Sequence, residues 1–294
     1  MKVTRCFIII LGGFEIMENC KIIAIANQKG GTGKTTTAYN MGIALAEIGK
    51  KILLVDNDPQ TNLTTAFGIR NTDDLSISLH DVLTMLMDGQ ELPDKSEYIL
   101  RGEKLDLIPS SINLSVTEIN LRDEMGGERT LSNLLEPLRE DYDYIIIDTN
   151  PYLGLLTINA LAACDSVIIP VSTQLWSANG LTALLNIILK VQKKINPRIR
   201  VSGILITMTD ERTILFREAM DLIDEYFKDK IRIYDVHIPV TVKIGEANFH
   251  SRSVLDFDAK NKAARAYAAF AKEVIDHGDI SGGSNTADKA QASA

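Results

Sequence analysis

Two lysines, three glycines and three threonines fall within nine residues, Gln28-Lys29-Gly30-Gly31-Thr32-Gly33-Lys34-Thr35-Thr36. The apolar run Ile22-Ile23-Ala24-Ile25-Ala26 precedes them, and a helical pattern from Thr37 to Ile48, closed by Gly49, comes after. The stretch therefore reads as a glycine-rich turn between a buried strand and a helix N-terminus. Glycines let the backbone curl with its N–H groups inward, and the helix start adds partial positive charge. Such a turn cradles phosphate. Lys34 is placed to reach β- and γ-phosphates, and the Thr35 hydroxyl to hold Mg²⁺. The general pattern G-x-x-x-x-G-K-[ST] is not met, because Gln28 stands where its first glycine belongs and Lys29 heads the loop.

Two carboxylates stand at the ends of apolar runs. Asp58 lies in Val55-Asp56-Asn57-Asp58-Pro59-Gln60, where Pro59 stiffens the next turn. Asp148 closes Tyr144-Ile145-Ile146-Ile147, ahead of Thr149-Asn150-Pro151. A carboxylate there can hold a water on Mg²⁺, or simply cap the next helix; beside Lys34 and Thr35 the metal role is the stronger reading. Asp56 either assists through a metal-bound water or is structural.

Apolar runs and helical periodicity place these groups. Strands are expected at 22–26, 51–55, 105–108, 144–148, 166–171, 201–207 and 231–238. Helices are expected at 34–48, 76–88, 128–140, 154–163, 177–195, 211–227 and 260–277. Their alternation predicts an α/β fold, a mostly parallel twisted sheet with helices on both faces. Ligands of such sheets bind at the carboxyl ends of strands, where the loop at 28–36, Asp58 and Asp148 converge. Residues 65–103 read as an insertion of mixed polarity.

The loop resembles the deviant Walker A motif, K-G-G-x-G-K-[ST], of the ParA/Soj/MinD ATPases. Lys51 to Gln60 is similar to that group's second strand and its V-D-x-D-P-Q switch. Tyr144 to Pro151 is similar to its Walker B strand, with Thr149-Asn150 in place of the usual Cys-Pro. Leu153 to Leu161 and Val167 to Val171 match the segments that come after Walker B in that group, and the likeness spans roughly 21–277. The ParA/Soj DNA-partition branch fits best. The resemblance implies a P-loop NTPase of the deviant Walker A type that binds ATP and Mg²⁺ and hydrolyses ATP in plasmid or chromosome segregation.

It further implies site residues: the cradle Lys29, Gly30, Gly31, Thr32, Gly33, Lys34, Thr35 and Thr36; Thr35 and Asp148 for the metal; Asp58 for the attacking water. Lys29 would reach across a two-fold interface to the nucleotide of a second subunit in an ATP-sandwich homodimer. Met208 and Pro239 would flank adenine. In Thr207-Met208-Thr209-Asp210, Met stands where GTPases of similar architecture have lysine, which favours ATP while Asp210 keeps guanine open. Arg212 and Lys243 match DNA-contact positions and are expected away from the nucleotide crevice, at other strand ends. Val240 replaces the first arginine of the family's P-R-N-V-R. Ser172 and Gln174 also depart from the usual Gln and Glu. A ParB-like centromere-binding partner is implied as the stimulator of hydrolysis.

The 294 residues, 45% hydrophobic and 24% charged, suit one large globular domain or two small ones. A net charge of −8 excludes a strongly basic nucleic-acid binder and leaves room for a local patch. Residues 190–200 supply one candidate, with Lys190, Lys193, Lys194, Arg198 and Arg200 and no acid; a solvated helix end is the alternative. Cys6, Cys20 and Cys164 lack metal or disulfide spacing, in keeping with a reducing cytoplasm. Residues 1–20 read as an extension, untranslated if synthesis starts at Met17, or disordered, with a packed apolar segment as the other option. Residues 278–294 read as a disordered tail and 21–277 as a single ATPase domain. The competing reading is a MinD-like or metabolic ATPase of the same fold without DNA binding. A MinD-like role needs a C-terminal amphipathic membrane helix, which the tail lacks.

Overall fold

A computed structural model describes residues 20–174 and 178–278. The extension and tail expected at the two ends lie outside the described residues apart from positions 20 and 278, as does the helix start expected at 177. The strands are β1 (Lys21–Ile25), β2 (Ile52–Asn57), β3 (Leu100–Arg101), β4 (Asp106–Ile108), β5 (Tyr144–Thr149), β6 (Ser166–Ser172), β7 (Arg200–Thr209) and β8 (Ile238–Pro239). They form one sheet in the order β3-β4-β2-β5-β1-β6-β7-β8, parallel throughout except for β3 against β4.

The helices among the described residues begin with α1 (Lys34–Glu47), α2 (Asn62–Phe67), α3 (Leu79–Met87), α4 (Lys95–Tyr98), α5 (Leu114–Asn120) and α6 (Thr130–Leu135). They continue with α7 (Leu155–Ala163), α8 (Ala178–Lys194), α9 (Ile214–Phe227), α10 (Val242–Phe249), α11 (Val254–Phe257) and α12 (Lys262–Gly278).

The central strands read as unbroken apolar runs because both faces are covered. Along β5, Ile145 and Ile147 join the core layer under α3, α6, α7, α8 and α9. Tyr144 and Ile146 join the opposite layer under α1, α11 and α12. β1 and β2 divide their side chains the same way, with Ile22 and Leu53 on one side and Ile23 and Leu54 on the other. Each such fully buried aliphatic side chain contributes about 1.5–3 kcal/mol.

Several boundaries depart from the sequence reading. The helix expected at 128–140 is α only from Thr130 to Leu135, with 3₁₀ turns on either side. Pro137 lacks an N–H and crowds the carbonyl four residues back, so the α-helix stops before it. The strand expected at 231–238 narrows to Ile238–Pro239 plus one bridge from Ile233 to Ile204. Pro239 suits an edge strand, and the Tyr234 amide still donates to the Ile204 carbonyl at 3.0 Å while its ring packs over Gly203, where a Cβ would fall 2.8 Å from it. Residues 65–103 are integral rather than inserted, since they hold α3, α4 and the edge strand β3. α9 starts at Ile214, after Thr213, whose hydroxyl accepts from the Phe216 amide at 3.1 Å and caps the helix.

Arg139 fastens the amino edge of the sheet. Its guanidinium makes a two-pronged pair with Asp165 at 2.8 and 2.9 Å and donates to the Cys20 carbonyl at 2.6 Å. Asp165 also accepts from the Ile22 amide at 2.8 Å. Arg139→Ala is expected to lower the unfolding free energy by about 1.5–3 kcal/mol, the range for charged hydrogen bonds. A urea midpoint equal to wild type would deny the pair a net role.

Candidate functional site

The phosphate loop leaves β1 and turns into α1. Gly31 and Gly33 have φ of 74° and 84°, a left-handed backbone that glycine adopts without strain. At Gly33 a Cβ would meet nothing within 4 Å, so the backbone angle rather than space demands glycine there. Gly33 is also the N-cap of α1 and offers no side-chain cap, and the first turn holds no acidic residue. The amides that open the helix are thereby left for an anion. The loop is braced from outside. Asn27 accepts from the Lys29 amide at 3.0 Å and donates to the Pro170 carbonyl at 2.7 Å. The Thr207 hydroxyl donates to the Thr32 carbonyl at 2.9 Å.

A cavity of about 480 Å³ opens over this loop. Gly30, Gly31, Gly33, Lys34, Thr35 and Thr36 line it, and Asp58 and Gln60 enter from the turn after β2. Lys29 and Thr32 lie in the loop but outside the lining; Lys29 is exposed and Thr32 buried. Lys34 is buried, and its Nζ donates to the Lys29 carbonyl at 3.4 Å. Burial lowers its pKa, while Asp148 and Asp58 nearby oppose the shift.

Three carboxylates gather beside it. Parallel register sets Asp56 of β2 next to Asp148 of β5. Burial pushes the Asp56 carboxyl up to about 7, against the pull of its hydrogen bonds from Thr64. Burial and then the adjacent Asp56 charge hold the Asp148 carboxyl well above the usual range, with the nearby Thr35 hydroxyl and then Lys34 pulling the other way. Both oxygens of Asp148 are buried and neither makes a hydrogen bond of full geometry among the described residues. A carboxylate so sparsely satisfied is costly unless a cation or its water completes it. With the Thr35 hydroxyl in the first turn of α1, the donors are all oxygen, which suits Mg²⁺. The residues present therefore fit the metal.

The departures at Thr149 and Asn150 have partners of their own. The Thr149 hydroxyl donates to the Ile25 carbonyl at 2.9 Å, and Asn150 accepts from the Thr157 hydroxyl at 3.0 Å. These bonds tie the loop after Asp148 to β1 and to α7. The Ser172 hydroxyl is buried without a partner among the described residues.

Met208 lines the cavity with φ of 54°, at a register shift between β7 and β8. A non-glycine residue held there stores strain of about 1–3 kcal/mol and marks a place where the fold over-determines the backbone. Pro239 pairs with Thr209 and is not among the lining residues. Tyr39, Pro151 and Asn248 stand there instead, and α2 supplies Asn62, Thr65 and Ala66. Sequence reading missed these. Tyr39 was within its reach, one helical turn beyond Thr35 on α1; Asn248 carried no signal.

The basic positions fall on two surfaces. The neighbouring strands β7 and β8 are joined by Val240 N–H to Thr209 C=O at 3.0 Å; Arg212 sits on the turn that leaves β7, and Lys243 in the first turn of α10, just after β8. They share the carboxyl edge with the nucleotide crevice, two strands along, rather than standing apart from it. Arg212 is 88% exposed and paired with Asp210, and Lys243 pairs with Glu246 at 2.7 Å. The cluster at 190–200 lies at the other end of ten-residue β7, about 30 Å away at the strand rise of about 3.3 Å per residue. There Arg200 caps the carbonyls of Pro197, Arg198 and Ile199, while Lys193, Lys194 and Arg198 are exposed.

Comparison with known proteins agrees with this geometry. A family model described as an AAA domain matches residues 20–201. The sporulation initiation inhibitor protein Soj of Bacillus subtilis (strain 168) is 44% identical over 260 residues, covering 88% of this chain and 99% of that protein. The chromosome partitioning protein ParA of Caulobacter vibrioides (strain NA1000 / CB15N) is 39% identical over 257 residues, covering 87% and 94%. Among solved structures, cobyrinic acid a,c-diamide synthase from Mycobacterium smegmatis with bound ADP and magnesium superposes with a TM-score of 0.76. It is 33% identical and covers 88% of this chain and 96% of its own.

Proposed function

The chain belongs to the ParA/Soj family of chromosome-partitioning ATPases, and from that premise we propose that it partitions DNA through an ATP-gated cycle. In this reading it binds ATP with Mg²⁺ over the phosphate loop, pairs with a second copy into a nucleotide sandwich and holds DNA without sequence preference. A ParB-like partner hastens hydrolysis and release, and the cycle runs in the cytoplasm on the nucleoid. The observation that supports the nucleotide reading is an uncapped helix N-terminus and a buried Lys34 lining one cavity, with the carboxylate of Asp148 buried behind Lys34 and outside the lining.

In this reading each residue has a role suited to its position. The amides of Gly30 to Thr36 and Lys34 hold the phosphates. Thr35, directly, and Asp148, through a water, would hold Mg²⁺, which when bound neutralises phosphate charge. Asp58 orients the attacking water, and phosphoryl transfer asks for little beyond such positioning and charge neutralisation. Lys29, exposed at the head of the loop, completes the site of the second copy. Met208 bounds the base.

The MinD-like alternative would put a helix on a membrane. Among the described residues, no helix is long and apolar enough to cross one. The apolar face of α12, with Tyr267, Phe270 and Val274, is buried against α1 and not free to lie on a bilayer.

DNA contact is tested by Arg212→Glu combined with Lys243→Glu. Both residues lie at the carboxyl edge, Arg212 exposed on a turn and Lys243 half-exposed at the start of α10, and nonspecific binding rests on phosphate neutralisation. The double reversal is expected to remove most of the ATP-dependent DNA affinity and to flatten its salt slope by about 2 per subunit. ATP binding and dimerisation should persist. Wild-type DNA affinity in a folded, dimer-forming variant would refute this surface, and loss on reversing Lys193 and Lys194 instead would move it to the opposite edge.

A further inference from the structure

The turn that carries Asp58 is held by a closed circuit of hydrogen bonds that starts and ends on the peptide groups of that residue. The Asp58 N–H donates to Asp56 Oδ1 at 3.3 Å. Asp56 Oδ2 accepts from the Thr64 hydroxyl at 2.6 Å and the Thr64 amide at 2.8 Å. The Thr64 hydroxyl in turn accepts from the Ser110 amide at 2.9 Å, and the Ser110 hydroxyl donates to the Asp58 carbonyl at 2.8 Å. Asp56, Thr64 and Ser110 are fully buried, and Asp58 is 5% exposed. The circuit draws on three separate elements: the end of β2, the first turn of α2 and the segment after β4.

The turn needs such holding. Thr61, three residues after Asp58, has φ of 57°, and its amide donates back to the Asp58 carbonyl at 3.0 Å. A non-glycine residue in that region costs about 1–3 kcal/mol and persists only where its surroundings impose it. Each polar atom of the circuit is satisfied by the next. The Thr64 hydroxyl spends its proton on Asp56 and a lone pair on Ser110, which fixes its rotor. Among the described residues the Asp58 carboxylate itself accepts only from the Gln60 amide, at 3.0 Å, and it lines the cavity, where its remaining capacity is open to other partners.

We propose that Thr64 and Ser110 are positioning residues for ATP hydrolysis, which set the Asp58 carboxylate through the backbone without touching nucleotide. Asp56 is the anchor of the same circuit, and its carboxylate is engaged in bracing the turn. The proposal rests on Asp58 as the water-orienting group. A shift of about 1 Å in such a group costs on the order of 100-fold in rate.

The test compares Thr64→Val, which keeps the shape and removes the hydroxyl, with Thr64→Ser, which restores it, and adds Ser110→Ala. MgATP turnover is measured for each and normalised to the fraction of molecules that bind ATP. Thr64→Val and Ser110→Ala are expected to lower kcat at least about tenfold with KM for ATP near wild type, and Thr64→Ser to recover most of the loss. Wild-type kcat in both variants, or a loss confined to the fraction that binds ATP, overturns the proposal. Asp58→Ala run alongside separates the two readings. If it turns over normally, the role of Asp58 fails. If it is inactive while Thr64→Val is not, only the circuit fails.

Discussion

Lys34→Ala is expected to weaken ATP binding by at least about 100-fold, equivalent to about 2.7 kcal/mol. Lys34 is a cation drawn out of water by the fold, its ammonium held within the loop by a long 3.4 Å bond to the Lys29 carbonyl. Burial already depresses its pKa, so the group gains more from a phosphate partner than an exposed lysine does, because charges attract more strongly in a water-poor site. Alanine removes the strongest cation in the crevice and leaves only the helix amides for the anion. Calorimetric titration with ATP and Mg²⁺ reads the effect, and a melting curve near wild type shows that the loss is local. Wild-type affinity in that variant would remove nucleotide from this cavity.

Asp58→Ala is expected to keep ATP binding and to lose about 100-fold or more in turnover. Asp58 lines the cavity from the turn after β2, whereas the proposed phosphate cradle is the loop after β1. Its removal therefore subtracts little from the ground-state complex and much from the orientation of water, which lowers kcat and leaves KM alone. Dimerisation should survive, and a nucleotide-trapped dimer should accumulate. Phosphate release measured at saturating ATP decides the matter, and turnover equal to wild type would assign the water to another group.

What the sequence disclosed was local in character. The phosphate loop is legible because eight consecutive residues, Lys29 to Thr36, carry it, and its strand and helix are contiguous with it. Asp56, Asp58 and Asp148 are legible because apolar runs end on them. The convergence of the loop, Asp58 and Asp148 was inferred from the rule for parallel sheets; the loop and Asp58 line one cavity, and Asp148 lies outside its lining, beside Asp56 in the register of β2 with β5. The failures share another cause. The Tyr234 ring finds its seat over a glycine thirty-one positions earlier. The Thr64 and Ser110 circuit joins residues 46 and 52 positions apart through hydroxyls that are unremarkable in the string. The two basic clusters are close in sequence, yet β7 runs the depth of the sheet between them. No periodicity reports a partner that distant.

The strand order also sets a timetable for the newborn chain. Among the described strands β1 is the first to leave the ribosome, and it lies between β5 and β6. Thr149 meets Ile25 across 124 residues, and Pro170 meets Asn27 across 143. The strand and the glycine loop behind it must therefore wait, apolar and unpaired, until β5 and β6 have been synthesised. Long-range parallel pairing of this kind folds slowly and leaves sticky segments open to wrong encounters. A holdase chaperone that binds the emerging Ile22–Ala26 segment would shield it during that interval, and competence for nucleotide should appear only once β6 has cleared the exit tunnel.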